Sequence, residues 1–211
     1  MHMQPTKSKK LFYTARIADV FGNYGSTTLK VEEIASSLGI TKKTLYNYFD
    51  SKQSMVECVT DYVCRKQIEQ LRAGLHKQDT PIDALCFIGR SLITFSEKYV
   101  FLFKSHNGFS RTYLLGNLFN DRKKELVEII EFCFKKGAHD GHFEQDIDHN
   151  LLSLYLLFQI KLLLDEENGV FYSEIGKSQF LQVLYFYLKG ICTEKGLIVL
   201  RSAFDIRVSS S

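Results

Sequence analysis

The stretch Ile34-Ala35-Ser36-Ser37-Leu38-Gly39-Ile40-Thr41-Lys42-Lys43-Thr44-Leu45-Tyr46-Asn47-Tyr48-Phe49 decides the fold. Val31, Ile34, Ala35 and Leu38 fall on one face of a short helix. Gly39 stops that helix and accepts the positive φ that reverses the chain within a few residues. Thr41 opens a second short helix, its hydroxyl placed to cap the free N–H groups of the first turn. This helix turns Leu45 and Phe49 inward, with Tyr48 beside them. Ala35 is small enough to let the two helices approach, and Ile34, Leu38, Ile40 and Leu45 fill the angle between them. Lys42, Lys43, Tyr46 and Asn47 must then point away from the core. A short helix, a glycine turn and a second short helix make a helix-turn-helix.

Upstream, Leu11, Phe12, Ala15, Ala18 and Phe21 recur at helical spacing, and Gly22 and Gly25 close a helix over Leu11–Tyr24. Charge is distributed unevenly. Residues 1–52 hold eight Lys and Arg against four Asp and Glu, a net +4, whereas the remaining residues hold 19 against 20, a net −1. All the excess positive charge thus lies at the end that carries the motif, as expected of a surface that meets a polyanion.

The run from Ile34 to Lys52 resembles the DNA-binding domain of the TetR family of bacterial transcription regulators, above all in the Leu45-Tyr46-Asn47-Tyr48-Phe49 ending followed by Lys52. One departure is that Thr27 and Thr28 come early and Lys30 stands where that family commonly has a second threonine; Lys30 could itself reach a phosphate. A third helix lying in the major groove offers its N-terminal end to base edges and its flanks to phosphates. Lys42 and Lys43 suit guanine O6 and N7 or a phosphate. Thr41 and Thr44 suit phosphates, Thr44 adding a methyl for thymine. Asn47 has the donor–acceptor pair that fits adenine. The resemblance implies that Tyr46, Tyr48 and Lys52 hold the DNA backbone.

Beyond Lys52 the pattern predicts helices near 53–76, 82–103, 109–118, 121–137, 149–166 and 175–193, broken at Asp79-Thr80-Pro81, Asn107-Gly108, Gly137 through Gly141, and Asn168-Gly169. The expected architecture is all-α, with a DNA-binding domain over 1–52, a larger helical ligand-binding and dimerisation domain over 53–195, and an unassigned tail over 196–211. Helices 149–166 and 175–193 are apolar nearly all round, so each has a face left over after its own domain is covered. A second copy is the simplest partner, through a two-fold four-helix bundle. Leu151, Tyr155, Phe158, Leu162, Phe180, Leu184, Tyr187, Leu188 and Ile191 are the residues expected there. The resemblance also implies a small-molecule pocket in the aromatic-rich middle helices. Phe87, Phe95, Tyr99 and Tyr113 would line it for a lipophilic inducer, with Arg90, His106 and Gln159 as polar anchors.

Other classes of function are disfavoured. No nucleophile elbow, phosphate loop or paired carboxylates at catalytic spacing occur, so an enzyme is not expected. His139, Asp140, His142, Glu144, Asp146, Asp148 and His149 are metal-ligand types, but without fixed spacing they read as a solvated turn, and no metal or cofactor is expected. Five cysteines with no CxxC pair read as small hydrophobes of a cytoplasmic protein. No apolar run is long enough to span a membrane. The expected protein is a dimeric transcriptional regulator, more often a repressor, bound to double-stranded DNA and released by a ligand. The alternative is a helical DNA-binding adaptor without an inducer.

Overall fold

With prolines only at positions 5 and 81, little interrupts helix formation along the chain. The computed structural model, which describes residues 7–24, 29–99, 122–164 and 177–208, is built of helices. In chain order they are α1 (Lys7–Tyr24), α2 (Val31–Ser37), α3 (Lys42–Tyr46), α4 (Lys52–Leu75), α5 (Pro81–Lys98), α6 (Lys123–His139), α7 (His149–Leu164), α8 (Lys177–Lys189) and α9 (Glu194–Val208). The fold is all-α, as expected; the one β feature among the described residues is an isolated antiparallel bridge between Phe143 and Cys192. The helix expected over 109–118 lies outside the described residues, as do Thr27, Thr28, His106 and Tyr113 and the side chain of Leu162. Two compact units result, Met1–Gln67 with Ser96–Asp121 and Ile68–Phe95 with Arg122–Ser211.

In the first unit, α1 buries Thr14, Ile17, Ala18 and Phe21. Leu11 and Phe12, expected inside, are 51% and 55% exposed. Thr14 can take the inward position because its hydroxyl donates to the Lys10 carbonyl at 2.9 Å, leaving no donor unmet. Phe12 lies outside beneath the Arg16 guanidinium. α2 buries Val31, Ile34, Ala35 and Leu38. Its end is a Schellman turn: Gly39, at φ 68°, donates to the Ser36 carbonyl, and Ile40 donates to Ala35, both at 3.0 Å. Thr41 then caps α3, its hydroxyl accepting from the Thr44 N–H at 3.1 Å. Leu45 and Phe49 close the core, and Ser51 accepts from the Ser54 N–H at 3.0 Å as α4 begins.

In the second unit, Thr80 caps α5 by accepting from the Asp83 N–H at 3.0 Å, and Pro81 occupies the first helical position, where a missing N–H is harmless. Phe87 of α5 lies against Gly74, where an added Cβ would sit 2.1 Å from the ring. Phe180 of α8 lies in the same way against Gly89. α6 ends in a second Schellman turn around Gly141, at φ 73°. The chain from Gly141 to Glu144 then joins the turn after α8. Thr193 donates its N–H to the His142 carbonyl (3.1 Å) and its hydroxyl to Gly141 (2.6 Å), while Glu144 donates to Ile191 (3.0 Å). These bonds end α8 at Lys189 instead of residue 193. They also start α9, because the Thr193 hydroxyl accepts from the Gly196 N–H at 3.1 Å. The tail left unassigned by its sequence is therefore a helix, anchored by buried Leu200 and Ala203. None of the five cysteines is in a disulfide. Burial pushes the thiols of Cys133 and Cys192 up to about 12 and about 11, so both remain protonated at neutral pH.

The junction of these two turns contains an acid-sensitive group. His142 is 8% exposed and its Nδ1 makes no hydrogen bond. Burial first, then the Lys195 charge, holds its pKa below the ordinary imidazole value, with Asp140 opposing and Lys136 adding to the depression. Below about pH 6.5 the unfolded chain takes up this proton before the folded one does. Stability from this group is complete above that pH and is lost as pH falls through the lower folded value. The melting temperature should drop between pH 7.5 and 5.5, and the drop should be smaller in His142→Gln, as calorimetry at a series of pH values would show.

Candidate nucleic-acid interface

α2 and α3 present the expected DNA-contacting residues on an exposed surface. Lys30, Thr41, Lys42, Lys43, Tyr46 and Asn47 are exposed, and Thr44, Tyr48 and Lys52 are half-buried. Lys30 occupies the N-cap position of α2 without capping it through its side chain. Glu33 supplies the reciprocal half of a capping box, its carboxylate accepting from the Lys30 backbone N–H at 2.5 Å. An ammonium has no acceptor, so Lys30 cannot make the cap that a threonine hydroxyl would make, and its charge is left outside the helix terminus.

Thr41 and Thr44 share their chemistry. Their hydroxyls lie 2.9 Å apart, so one of the two O–H groups is used between them and the other remains to donate outward. The pair offers one phosphate donor, where two were expected. α3 is only five residues long and Asn47 is its C-cap, which puts that amide at the far end from Thr41 and Lys42. Tyr48 packs on Tyr13 of α1, with ring centroids 4.8 Å apart. Lys10 places its ammonium 5.4 Å from the centre of the Phe49 ring, adding a cation that the motif did not single out. At the start of α4, burial holds the Lys52 ammonium below its usual range, against the opposing pull of Glu33.

The main addition to the sequence reading is Glu32. Its Oε1 accepts from the Lys42 Nζ at 2.6 Å. That hydrogen bond holds the Glu32 carboxyl below its ordinary value and the Lys42 ammonium above its own. The Lys42 Nζ also lies 5.9 Å from the centre of the Tyr46 ring. A ten-residue separation across a turn carries no periodic signal, so this pair becomes visible only once α2 and α3 are docked.

The other expected residues divide unevenly. Phe87 is engaged with Gly74 in helix packing, Phe95 is buried, and Arg90, Tyr99 and Gln159 are half-buried. The cavities described in the second unit are elsewhere. One of about 230 Å³ is lined by Leu75, His76, Pro81, Ala84, Phe132, Cys133 and Lys136 among others. A groove of about 540 Å³ lies between residues 77–83 and α9. In the apolar pair of helices, Leu151, Tyr155 and Phe158 of α7 are exposed, at 63%, 51% and 59%. Phe180, Leu184 and Leu188 are not available to a second copy: all three are buried in this chain's own core. α8 instead exposes Val183 and Phe186. Tyr187 joins the two helices, its hydroxyl donating to the Leu152 carbonyl at 2.9 Å and its ring 5.8 Å from that of Tyr155. Ile191 is half-buried in the turn after α8. In the 139–149 loop, Asp140 accepts from Lys136 at 3.1 Å and Asp148 caps α7 through the N–H groups of Asn150 and Leu151. Among the described residues no three His, Cys, Asp or Glu side chains converge as metal ligands.

Residues 15–59 match the family described as bacterial regulatory proteins, tetR family. The chain is 28% identical over 147 residues to the HTH-type transcriptional repressor KstR2 of Rhodococcus jostii, a match covering 66% of this chain and 70% of that protein. Its fold is similar to that of a transcriptional regulator from Cytophaga hutchinsonii, with a TM-score of 0.72 at 20% identity over 89% of this chain and 100% of the other. It is also similar to the ketosteroid transcriptional regulator KstR2 of Mycobacterium tuberculosis, with a TM-score of 0.57 at 19% identity over 90% and 98% of the two chains.

Proposed function

We propose that this chain, whose residues 15–59 match the tetR family of bacterial regulatory proteins, is a dimeric repressor of that family released from its operator by a small lipophilic ligand. The observation that carries the DNA-binding half is the capped α3, with Lys42, Lys43 and one threonine hydroxyl at its exposed N-terminal end. That end of a recognition helix is the part that reaches base edges. In this reading residues 1–52 bind DNA and residues 53–195 bind ligand and partner, with α9 continuing the second region through the former tail.

The dimer reading rests on α7 and α8. Three large apolar side chains at i, i+4 and i+7 on α7 stand in water in the single chain, as do Val183 and Phe186 on α8. Exposed apolar side chains of that kind are what an isologous two-fold interface covers. The dimer then supplies two reading heads for a near-palindromic site. A lipophilic ligand is in keeping with the relative from Mycobacterium tuberculosis, a ketosteroid transcriptional regulator. A cytoplasmic location goes with this role; among the described residues no helix is long and apolar enough to cross a membrane.

The test uses the duplex that the wild-type protein itself enriches from a random pool. Replacing Lys42 and Lys43 together by methionine should weaken binding to it by about a hundredfold or more, since one well-placed base contact contributes about 1–3 kcal/mol. The salt dependence should also flatten by nearly two counterions. The melting temperature should stay within a degree or two, because both side chains are exposed. Undiminished binding by the folded variant would remove the DNA-reading role of α3.

A further inference from the structure

Among nine exposed or half-exposed residues expected to meet DNA, Lys42 alone among the described residues is held by a carboxylate on the preceding helix. Glu32 and Lys42 remain 60% and 51% exposed, so the bond is a surface pair and adds little to the stability of the head. Its consequence lies in binding. We propose that Glu32 is a specificity-determining residue, acting through Lys42 to suppress charge-only attachment to DNA while leaving the lysine able to read a base. This rests on the DNA-binding role proposed for α3.

The physical argument starts from what a duplex offers. Sequence-independent binding comes from cations that displace counterions from phosphates. A Glu32–Lys42 pair has no net charge, so it contributes almost nothing to that attraction. An ammonium nevertheless has three donors. One is engaged by Glu32, and the Nζ lies 5.9 Å from the centre of the Tyr46 ring. The ammonium is thus placed by two neighbours instead of sweeping freely on a four-carbon stem. A hydrogen bond to guanine O6 or N7 survives this arrangement because it depends on donor position, whereas attraction to phosphate depends on net charge. The carboxylate also repels any backbone that approaches α2 without engaging the lysine.

Two duplexes separate the effects: the one enriched by the wild-type protein and one of random sequence and equal length. Glu32→Gln should bind the random duplex about fivefold more tightly at ~0.1 M salt, with a salt slope steeper by about 0.9. Its affinity for the enriched duplex should change by less, so that the ratio of the two falls. The variant Glu32→Gln with Lys42→Met restores the neutral sum. It should match wild type on the random duplex but remain weakened on the enriched one. Equal factors on both duplexes, or no change on either, would overturn the role of Glu32 while leaving DNA binding itself in place. Failure of the wild-type protein to enrich any duplex would overturn both. Melting curves of each variant confirm that the head is folded.

Discussion

Glutamate at both Leu151 and Phe158 should convert the proposed dimer to monomer and reduce the affinity for the enriched duplex at least a hundredfold. These two side chains are 63% and 59% exposed in the single chain, and both lie on the same face of α7, seven residues apart. Making them polar therefore costs the isolated fold very little. In the proposed interface they would be buried, and a carboxylate without a partner is strongly disfavoured there. Across a two-fold axis each substitution counts twice. A monomer reads half a site and loses the high effective concentration that the second head enjoys once the first is bound. Sedimentation of the variant reports the first consequence, and titration of the enriched duplex the second. A variant that stays dimeric at micromolar concentration would show that this apolar face is not the interface. The matched change in Phe180, Leu184 or Leu188 would be uninformative, because those residues are in the core and an unpaired carboxylate there destabilises the fold itself.

Gly196→Ala should be the most destabilising small substitution in the second unit, by about 3 kcal/mol. An ideal Cβ at this position would lie 1.9 Å from the His142 carbonyl oxygen, 2.8 Å from its carbon and 3.2 Å from the Cys192 Cβ. The obstacle is backbone. At Gly74 and Gly137 the obstacle is a side chain, the ring of Phe87 or Phe143. Here relief requires the two turns to separate, and with them the bonds from Thr193 to Gly141 and His142, from Glu144 to Ile191, and from the Lys195 ammonium to the Asp140 carbonyl. The melting temperature should fall by about 6–12 °C for a chain of this length. Gly190→Ala is the control: only the carbonyl oxygens of Tyr187 and Phe186 approach, at 3.5 and 3.8 Å, and φ is not positive. That variant should melt within a few degrees of wild type.

The helix-turn-helix was legible because every local requirement agreed. Gly39 takes the left-handed conformation, Thr41 caps α3, and Ile34, Ala35, Leu38 and Leu45 are buried. Each of these depends on residues within a few positions of one another, where periodicity and capping preferences are strongest. The same holds for Thr80 and Pro81 at the start of α5 and for the break at Gly137–Gly141. The identities of the outward-facing residues on α3 followed from these inward ones.

What the sequence determined by itself, then, is α1 to α8 among the described residues, most of their punctuation, and the helix-turn-helix near the N-terminus. Only the tertiary structure decided which faces those helices use. In α1, Ile17 and a self-satisfied Thr14 face inward in place of Leu11 and Phe12. In α8, Phe180 fits against Gly89, so Val183 and Phe186 are the side chains left outside. α9 had no clear period, and its start depends on Thr193 being held by Gly141 more than fifty residues away. Glu32 meets Lys42 only because two helices cross. α8 and α9 carry no single directional signal, so their orientation is set by the shape and hydrogen bonds of whatever packs against them; at Thr14 and at the Glu32–Lys42 pair the deciding partner is a polar group, which an apolar pattern does not register.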